Sequence, residues 1–267
     1  MSDFEEYIKQ GEPEKKEKVY IWQTAIGLQD VDGLKPSLYL IETAKQNIEG
    51  DVTIDEVKFR IDSYYKIQST RDKNDRTEEA DKVSVRIAEI LSEKTFTFSP
   101  AEYIIIHKRL FEGIYQFAGK IRDYNISKAE WVLNGETVYY ASADSIRATL
   151  NYEFEQEKQF NYRGISLLQI VQHITAFVSG LWQIHAFGEG NTRTTAVFII
   201  KYLRTFGFDV NNDMFAQHSC YFRNALVRAN YNDFKNNLYA TKEYLERFFR
   251  NLLLNENNTL KNRELLI

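Results

Sequence analysis

From Phe208 to Ile267 the chain contains neither glycine nor proline, and the whole sequence holds only three prolines, Pro13, Pro36 and Pro100. Proline removes a backbone donor and glycine weakens helix interiors, so a long stretch free of both favours uninterrupted helix. An all-α fold is the first expectation. With 43% hydrophobic and 27% charged residues, the 267-residue chain has the material for packed cores. No apolar run approaches the ~18 to 20 residues that span a bilayer, and the opening residues lack the pattern of a secretory leader. A single cysteine, Cys220, fits a reducing compartment. These features together predict a cytoplasmic protein without a membrane partner, and a net charge of −4 gives no general attraction to nucleic acid.

Residues 1–19 mix charges with Gly11 and Pro13 and show no apolar period, so they read as a mobile tail. A helix is expected from Val19 to a stop at Gly33. A second runs from Pro36 or Ser37 to Gly50, and a third follows the capping box of Thr53 and Glu56. Residues 20–68 thus form a small helical domain. The charged run 69–82 reads as a solvated linker or the polar start of the next helix, and a larger domain covers 83–267. Ser99, Pro100 and Glu102 mark a helix start, with Ile105, Leu110 and Ile114 expected inward. In WVLNGETVYY, residues 131–140, strand-forming residues flank Asn134-Gly135, the preferred pair of a type I′ turn; one β-hairpin is expected there. A strongly apolar stretch from Ser166 to Trp182 predicts the central buried helix. The loop 183–190 leads to another helix, ended by Gly207, and long helices from about Ser219 to Asn251 close the domain.

The segment His185-Ala186-Phe187-Gly188-Glu189-Gly190-Asn191-Thr192-Arg193 gathers several chemical capabilities at one helix start. Gly188 and Gly190 allow a ligand close to the backbone, and the amides opening the helix near Asn191 make an anion site. Arg193 in the first turn opposes the helix dipole, a cost that a bound phosphate would offset. Glu189 offers a carboxylate of the kind that shares Mg²⁺ with substrate phosphates. His185 is a candidate general base. The other histidines, His107, His173 and His218, lack metal-ligand spacing and read as structural. Trp22 and Trp182 read as core, while Arg122 and Asn125 either line the cleft or stabilise the base of the hairpin.

This segment resembles the Fic family motif, H-x-F-x-[D/E]-G-N-x-R, found in enzymes that mostly transfer AMP from ATP to protein hydroxyls. The stretch LFEGIYQFAGKIRDYNIS (110–127) and the hairpin ahead of the motif resemble the same family, over roughly residues 83–240. The resemblance implies a helical domain with one hairpin flap, ATP as substrate and Mg²⁺ as cofactor. The implied partner is a target protein bearing a Ser, Thr or Tyr hydroxyl, with self-association left open. It implies that His185 deprotonates the hydroxyl and Arg193 joins it in catalysis, that Phe187 anchors the loop, and that Glu189 holds the metal. Gly188, Gly190, Asn191, Thr192 and Arg193 would bind the nucleotide, and the flap would register the target by strand addition through Val132, Leu133, Val138 and Tyr139. Three positions depart from the family pattern: Ala186 replaces a common proline, Thr192 a glycine, and Ala196 the second motif arginine. The last departure keeps open the transfer of another phosphate-containing group. A catalytically silent binding module is the remaining alternative, which intact His185, Glu189 and Arg193 argue against.

VDGLKPS (31–37) resembles the L-E-G-L-x-P segment of the antitoxin domain that partners or precedes some Fic toxins. That resemblance implies a regulatory role for Asp32; a competing register places the regulatory carboxylate at Glu49.

Overall fold

A computed structural model describes Phe4, Tyr7 and residues 12–67, 75–210 and 214–267. The contacts divide the chain into two units, Met1–Phe96 with Asn211–Ser219, and Thr97–Val210 with Cys220–Ile267. Among the described residues every regular element is a helix, so the all-α expectation holds.

In the first unit, α1 spans Pro13–Gly27 and places Pro13 in its first turn, where proline's fixed φ suits a helix start. Val19, Ile21, Trp22 and Ala25 are buried. Residues 13–18 of the expected tail are therefore helical, the charged residues ahead of Val19 forming the exposed to half-buried opening of α1. The helix expected to reach Gly33 tightens instead into a 3-10 turn over Leu28–Asp32, closed by Gly33 in the left-handed region at φ 67°. At Gly27 a Cβ atom would lie 2.4 Å from the carbonyl oxygen of Ala216, so residues 214–219 pack here against bare backbone.

Helices α2 (Leu38–Glu49), α3 (Ile54–Ile67) and α4 (Thr77–Ser92) complete this unit, with α4 against α1 and α3. The capping box at Thr53 and Glu56 forms as expected, Thr53 N–H donating to Glu56 Oε2 at 2.7 Å. Residues 69–74 of the expected linker, with residue 68 before them, lie outside the described residues, but 77–82 are the opening of α4. Asp81 shows why this polar stretch is structural. Its buried carboxylate accepts from Ser37 N–H at 2.8 Å and Tyr65 Oη at 2.6 Å, tying the start of α2 to α3 and α4. Trp22 is core as expected and donates to Asn47 Oδ1 at 3.0 Å.

In the second unit, α5 (Pro100–Phe111) starts at the Ser99 cap, although Ile105 points outward, about half exposed. Helices α6 (Ile146–Gln159) and α7 (Leu167–Ile184) follow, α7 opening with a complete capping box of Ser166 and Gln169. Helix α8 (Asn191–Thr205) is buried from Asn191 through Leu203, on all sides. It is buried more completely than α7, which packs on α6 and α8 but leaves Leu167 exposed at its start. Helix α9 (Met214–Ala229) bends at His218, next to where the chain passes between the two units, and α10 (Glu243–Leu254) packs on α7.

The expected hairpin is reduced to its turn. Asn134 and Gly135 both have positive φ, at 52° and 92°, and Glu136 N–H donates to Leu133 O at 3.0 Å, as a type I′ turn requires. No strand is present on either side among the described residues. Trp131–Leu133 is a 3-10 turn, and beyond the Glu130–Glu136 pair Lys128 N–H goes to the Thr137 side chain at 3.0 Å instead of a backbone carbonyl. On the other side, Ile267 N–H occupies the Val132 carbonyl at 3.2 Å and Asn134 Nδ2 donates to Ile267 O at 2.9 Å.

Candidate active site

His185 closes the C-terminal end of α7 in the left-handed conformation, φ 49° and ψ 57°, which non-glycine residues adopt at a cost. Arg122 secures it. The Nε atom of Arg122 donates to His185 O at 2.8 Å, another nitrogen to Tyr124 O at 2.6 Å, and a third to Ala141 O. The open choice for Arg122 thus resolves toward support of the loop and the turn base. Asn125 has a related role, its side-chain oxygen accepting from Ala143 N–H at 2.8 Å.

The His185 ring is 3% exposed, and neither ring nitrogen has a hydrogen-bond partner among the described residues. Buried polar groups nearly always have partners, so this pair of nitrogens is unusual. Burial, reinforced by Lys128, Arg122 and Arg223, holds the imidazole well below its ordinary pKa and hence neutral. The Tyr140 ring lies 4.1 Å from it and Trp182 meets it edge-on at 5.4 Å. Tyr140 is held in turn by Glu130, buried and ion-paired to Arg223 at 2.7 Å.

After His185 the chain turns sharply. Phe187 is buried and stacks on His107 at 3.7 Å, so it anchors the loop. His107 is structural as expected: its Nδ1 accepts from Gly119 N–H at 2.8 Å and its Nε2 faces Glu189 O at 3.0 Å. Those partners define the neutral Nε2–H tautomer, and burial pushes its pKa down to about 4. Gly190 caps α8 at φ 77°, where a Cβ atom would fall 2.3 Å from the Phe111 ring. A Cβ at Gly188 would lie 2.7 Å from Tyr124 Oη.

The residues expected to bind nucleotide divide into two groups. Asn191 exchanges two hydrogen bonds with Phe187, at 3.0 and 2.7 Å, and Thr192 Oγ1 accepts from Trp182 Nε1 at 3.0 Å. Their side chains brace the loop, and Trp182 serves both core and site. Gly188 and Gly190 shape the backbone, and no side chain caps the start of α8. Arg193 is 1% exposed, its guanidinium 4.8 Å from the Phe111 ring centre and 3.4 Å from Tyr115 Oη. The Glu189 carboxylate is half exposed and holds Lys128 Nζ at 3.0 Å. Among the described residues no cluster of three His, Cys, Asp or Glu could hold a metal alone.

Of the expected target-binding residues only Tyr139 is exposed, at 79%; Val132, Leu133 and Val138 are buried. Their burial reflects packing under the turn. In the first unit Asp32 ends the 3-10 turn before Gly33, and Glu49 is ion-paired to Lys15 at 2.9 Å. The residues that sequence reasoning missed are Lys128, Glu130, Arg223 and the positioning role of His107. Lys128 and Glu130 share one loop, His107 and Arg223 lie on two different helices, and no motif signals their convergence.

The Fic/DOC family model matches residues 97–203, which include His185, the turn and all of α8 up to Leu203. Residues 97–203 are a Fic/DOC-family domain. The chain is also similar to the protein adenylyltransferase VbhT of Bartonella schoenbuchensis, 30% identical over 108 residues. That match takes in 40% of this chain and spans about a fifth, 21%, of the relative's length. Among solved structures, the N-terminal FIC domain of Bep8, a VirB-translocated effector of Bartonella sp. 1-1C, matches at 19% identity with a TM-score of 0.49. That alignment covers 64% of this chain and 81% of the other. No helix among the described residues is long and apolar enough to cross a membrane.

Proposed function

We propose that the chain is a protein adenylyltransferase, moving AMP from ATP onto a hydroxyl of a target protein. The observation that carries this reading is the His185 imidazole: buried, neutral, unpartnered at both nitrogens, and one short loop ahead of the uncapped start of α8. A neutral imidazole takes the hydroxyl proton as the oxygen attacks the α-phosphorus and the bond to pyrophosphate breaks. Arg193 and the first amides of α8 face the charge that develops. Gly188 and Gly190 bring the backbone to the phosphates, while Asn191 and Thr192 hold the loop in shape. The similarity to the adenylyltransferase VbhT supports AMP as the transferred group.

The donor set fits Mg²⁺ shared with a nucleotide. A single exposed carboxylate, Glu189, already attracts a cation, and Mg²⁺ is commonly held by one or two carboxylates plus substrate oxygens. The ion would neutralise phosphate charge. Tyr139, and the backbone of the turn, would meet the target. Control by Asp32 belongs to the same proposal; Glu49 is the weaker candidate, since the flanks of Asp32 match the antitoxin segment over a longer span.

Transfer of a different phosphate-containing group is the second reading, favoured by Ala196, which is buried and supplies no second cation. Incubation with α-labelled and γ-labelled ATP, followed by mass spectrometry of labelled proteins, separates the readings. A mass gain of one AMP with α-label retained is expected. Retention of γ-label, or the absence of any nucleotide adduct, would overturn the AMP reading.

A further inference from the structure

A cavity of about 310 Å³ opens on the face of Tyr140 and Ile184 within the Fic domain. Its lining includes Tyr139, Ser145, Thr149, Glu153, Gly180 and Gln183. Tyr140 is also the ring against His185, so one aromatic ring separates the cavity from the proposed base. Of the side chains of Tyr140, Ser145, Thr149, Glu153 and Gln183 around the cavity, all but one are already engaged within the chain. Ser145 Oγ donates to Ser142 O at 2.9 Å, Thr149 Oγ1 to Ser145 O at 3.0 Å, and Gln183 Nε2 to Tyr139 O at 3.1 Å. Tyr140 Oη is directed at Glu130, 3.4 Å away.

Glu153 is the exception. No hydrogen bond or ion pair to its carboxylate occurs among the described residues, and its titration is perturbed by burial and by neighbouring Glu157, both of which push its pKa up. A half-buried carboxylate with only an acidic neighbour lacks compensation. The facing helix makes room for it. Gly180 stands in the interior of α7, where glycine is unfavourable, and a Cβ atom there would come within 3.1 Å of Glu153 Oε2. The bare backbone keeps the carboxylate open to the cavity.

We propose that this cavity is a specificity pocket that takes a basic side chain, arginine or lysine, of the protein substrate, with Glu153 as its counter-charge. The assignment of the occupant to a protein substrate rests on the adenylyltransferase reading. The geometry itself calls for a long side chain with a cationic end: the pocket is bounded by the exposed Tyr139 at the turn, holds one uncompensated acid, and adjoins the reacting centre. A target segment passing over Tyr139 toward His185 would place the residue flanking its hydroxyl at this opening. Charge pairing at such a site serves substrate choice more than raw affinity.

Two measurements on the full chain test it. In the first, N-acetyl-arginine-N-methylamide is titrated against the isotope-labelled protein, with the neutral citrulline analogue as control, and the amides of Gly180 and Thr149 are followed by NMR. Saturable shifts with the arginine probe alone are expected, and Glu153→Gln should abolish them. Equal shifts in parent and variant, or with both probes, would overturn the pocket. In the second, hydroxyl peptides with arginine or glutamate beside the hydroxyl are offered with ATP. The parent should label the arginine series about tenfold faster, and Glu153→Lys should remove or reverse that preference. A preference that survives both substitutions, or none in the parent, would overturn the substrate assignment. If no peptide or protein is labelled at all, the adenylyltransferase reading fails while the NMR titration still decides the pocket.

Discussion

Arg122 and His185 are joined through the backbone: the guanidinium Nε of Arg122 donates to the carbonyl oxygen of His185 at 2.8 Å, and Arg122 N–H donates to Ala186 O at 3.0 Å. This clamp explains how a non-glycine residue is kept in the left-handed region at the end of α7. The same guanidinium reaches Tyr124 and Ala141, so one side chain sets both the motif loop and the base of the turn.

Arg122→Met should therefore destabilise the Fic domain and disturb the site together. Several buried carbonyls lose a charged donor, and hydrogen bonds to charged groups contribute ~1.5 to 3 kcal/mol each. A loss of about 2 to 4 kcal/mol is expected by denaturant unfolding, with transfer reduced even at temperatures where the variant is folded. An unchanged unfolding midpoint would show that water or neighbouring donors replace the clamp.

His185→Ala should keep nucleotide binding but lower transfer by ~10² to 10⁴, the usual range for loss of a general base. The parent enzyme should also hold its rate as pH falls from 8 through 6.5. Burial and three nearby cations depress the His185 pKa, so the base stays deprotonated below the range of a free imidazole. Initial rates across that range test it; an acid limb centred at 6.5 or above would contradict the environment described for His185.

The motif loop was legible in the sequence because its chemistry and its backbone demands coincide. Gly190 is a glycine for φ and for space, and His185, Glu189 and Arg193 have no structural need to stand together. The supporting residues were illegible. Arg122 binds carbonyl groups, which leave no side-chain pattern, and Lys128 and Glu130 reach the site from one loop while Arg223 comes from a distant helix. The turn was readable in Asn134-Gly135, but strand-forming residues on both sides overstated the strands. It could not show that Thr137 would take the Lys128 N–H or that Ile267 would occupy Val132. In the first unit α1 was hidden by its charged opening turn, although Val19 and Trp22 already lie on its buried face.

His107 makes stability depend on acidity. Its pKa is about 4 in the folded chain against ~6.5 when unfolded, so between those values the unfolded state takes up the proton first. Its contribution is present above pH 6.5 and is lost progressively toward pH 4, up to about 3 kcal/mol. His107→Gln should flatten that part of the stability curve while lowering stability at neutral pH. Denaturant titrations at pH 7, 5.5 and 4.5 on both proteins would show it; parallel losses would mean that other groups govern the acid response.

Glu189→Gln should reduce the metal dependence of nucleotide binding, because the carboxylate would share Mg²⁺ with the phosphates. Calorimetric titrations with ATP, with and without Mg²⁺, should differ strongly for the parent and little for the variant. Lys128→Met separates the metal from the ion pair. It removes the cation now on Glu189, at 3.0 Å, and should strengthen Mg²⁺-dependent binding if the two compete for the same oxygen. Equal metal dependence in parent and Glu189→Gln would take Glu189 out of the metal's reach.

The two motif glycines should differ in what alanine does to them. At Gly190 the methyl group would meet a left-handed φ of 77° and the Phe111 ring at 2.3 Å, two faults that no side-chain rotation relieves together. The backbone conformation alone costs about 1 to 2 kcal/mol for a non-glycine residue, and the ring that must move also lies under Arg193. Gly190→Ala should thus lose stability and displace the Arg193 guanidinium, so that ATP binding weakens as well. At Gly188 no positive φ is required, and the nearest obstruction is Tyr124 Oη at 2.7 Å, the end of a half-exposed side chain that can swing away. Gly188→Ala should be tolerated within about 1 kcal/mol, typical of a surface change. Thermal melts and ATP titrations on the two variants decide between them: similar losses would mean that the loop, rather than the single position at the start of α8, sets the nucleotide site.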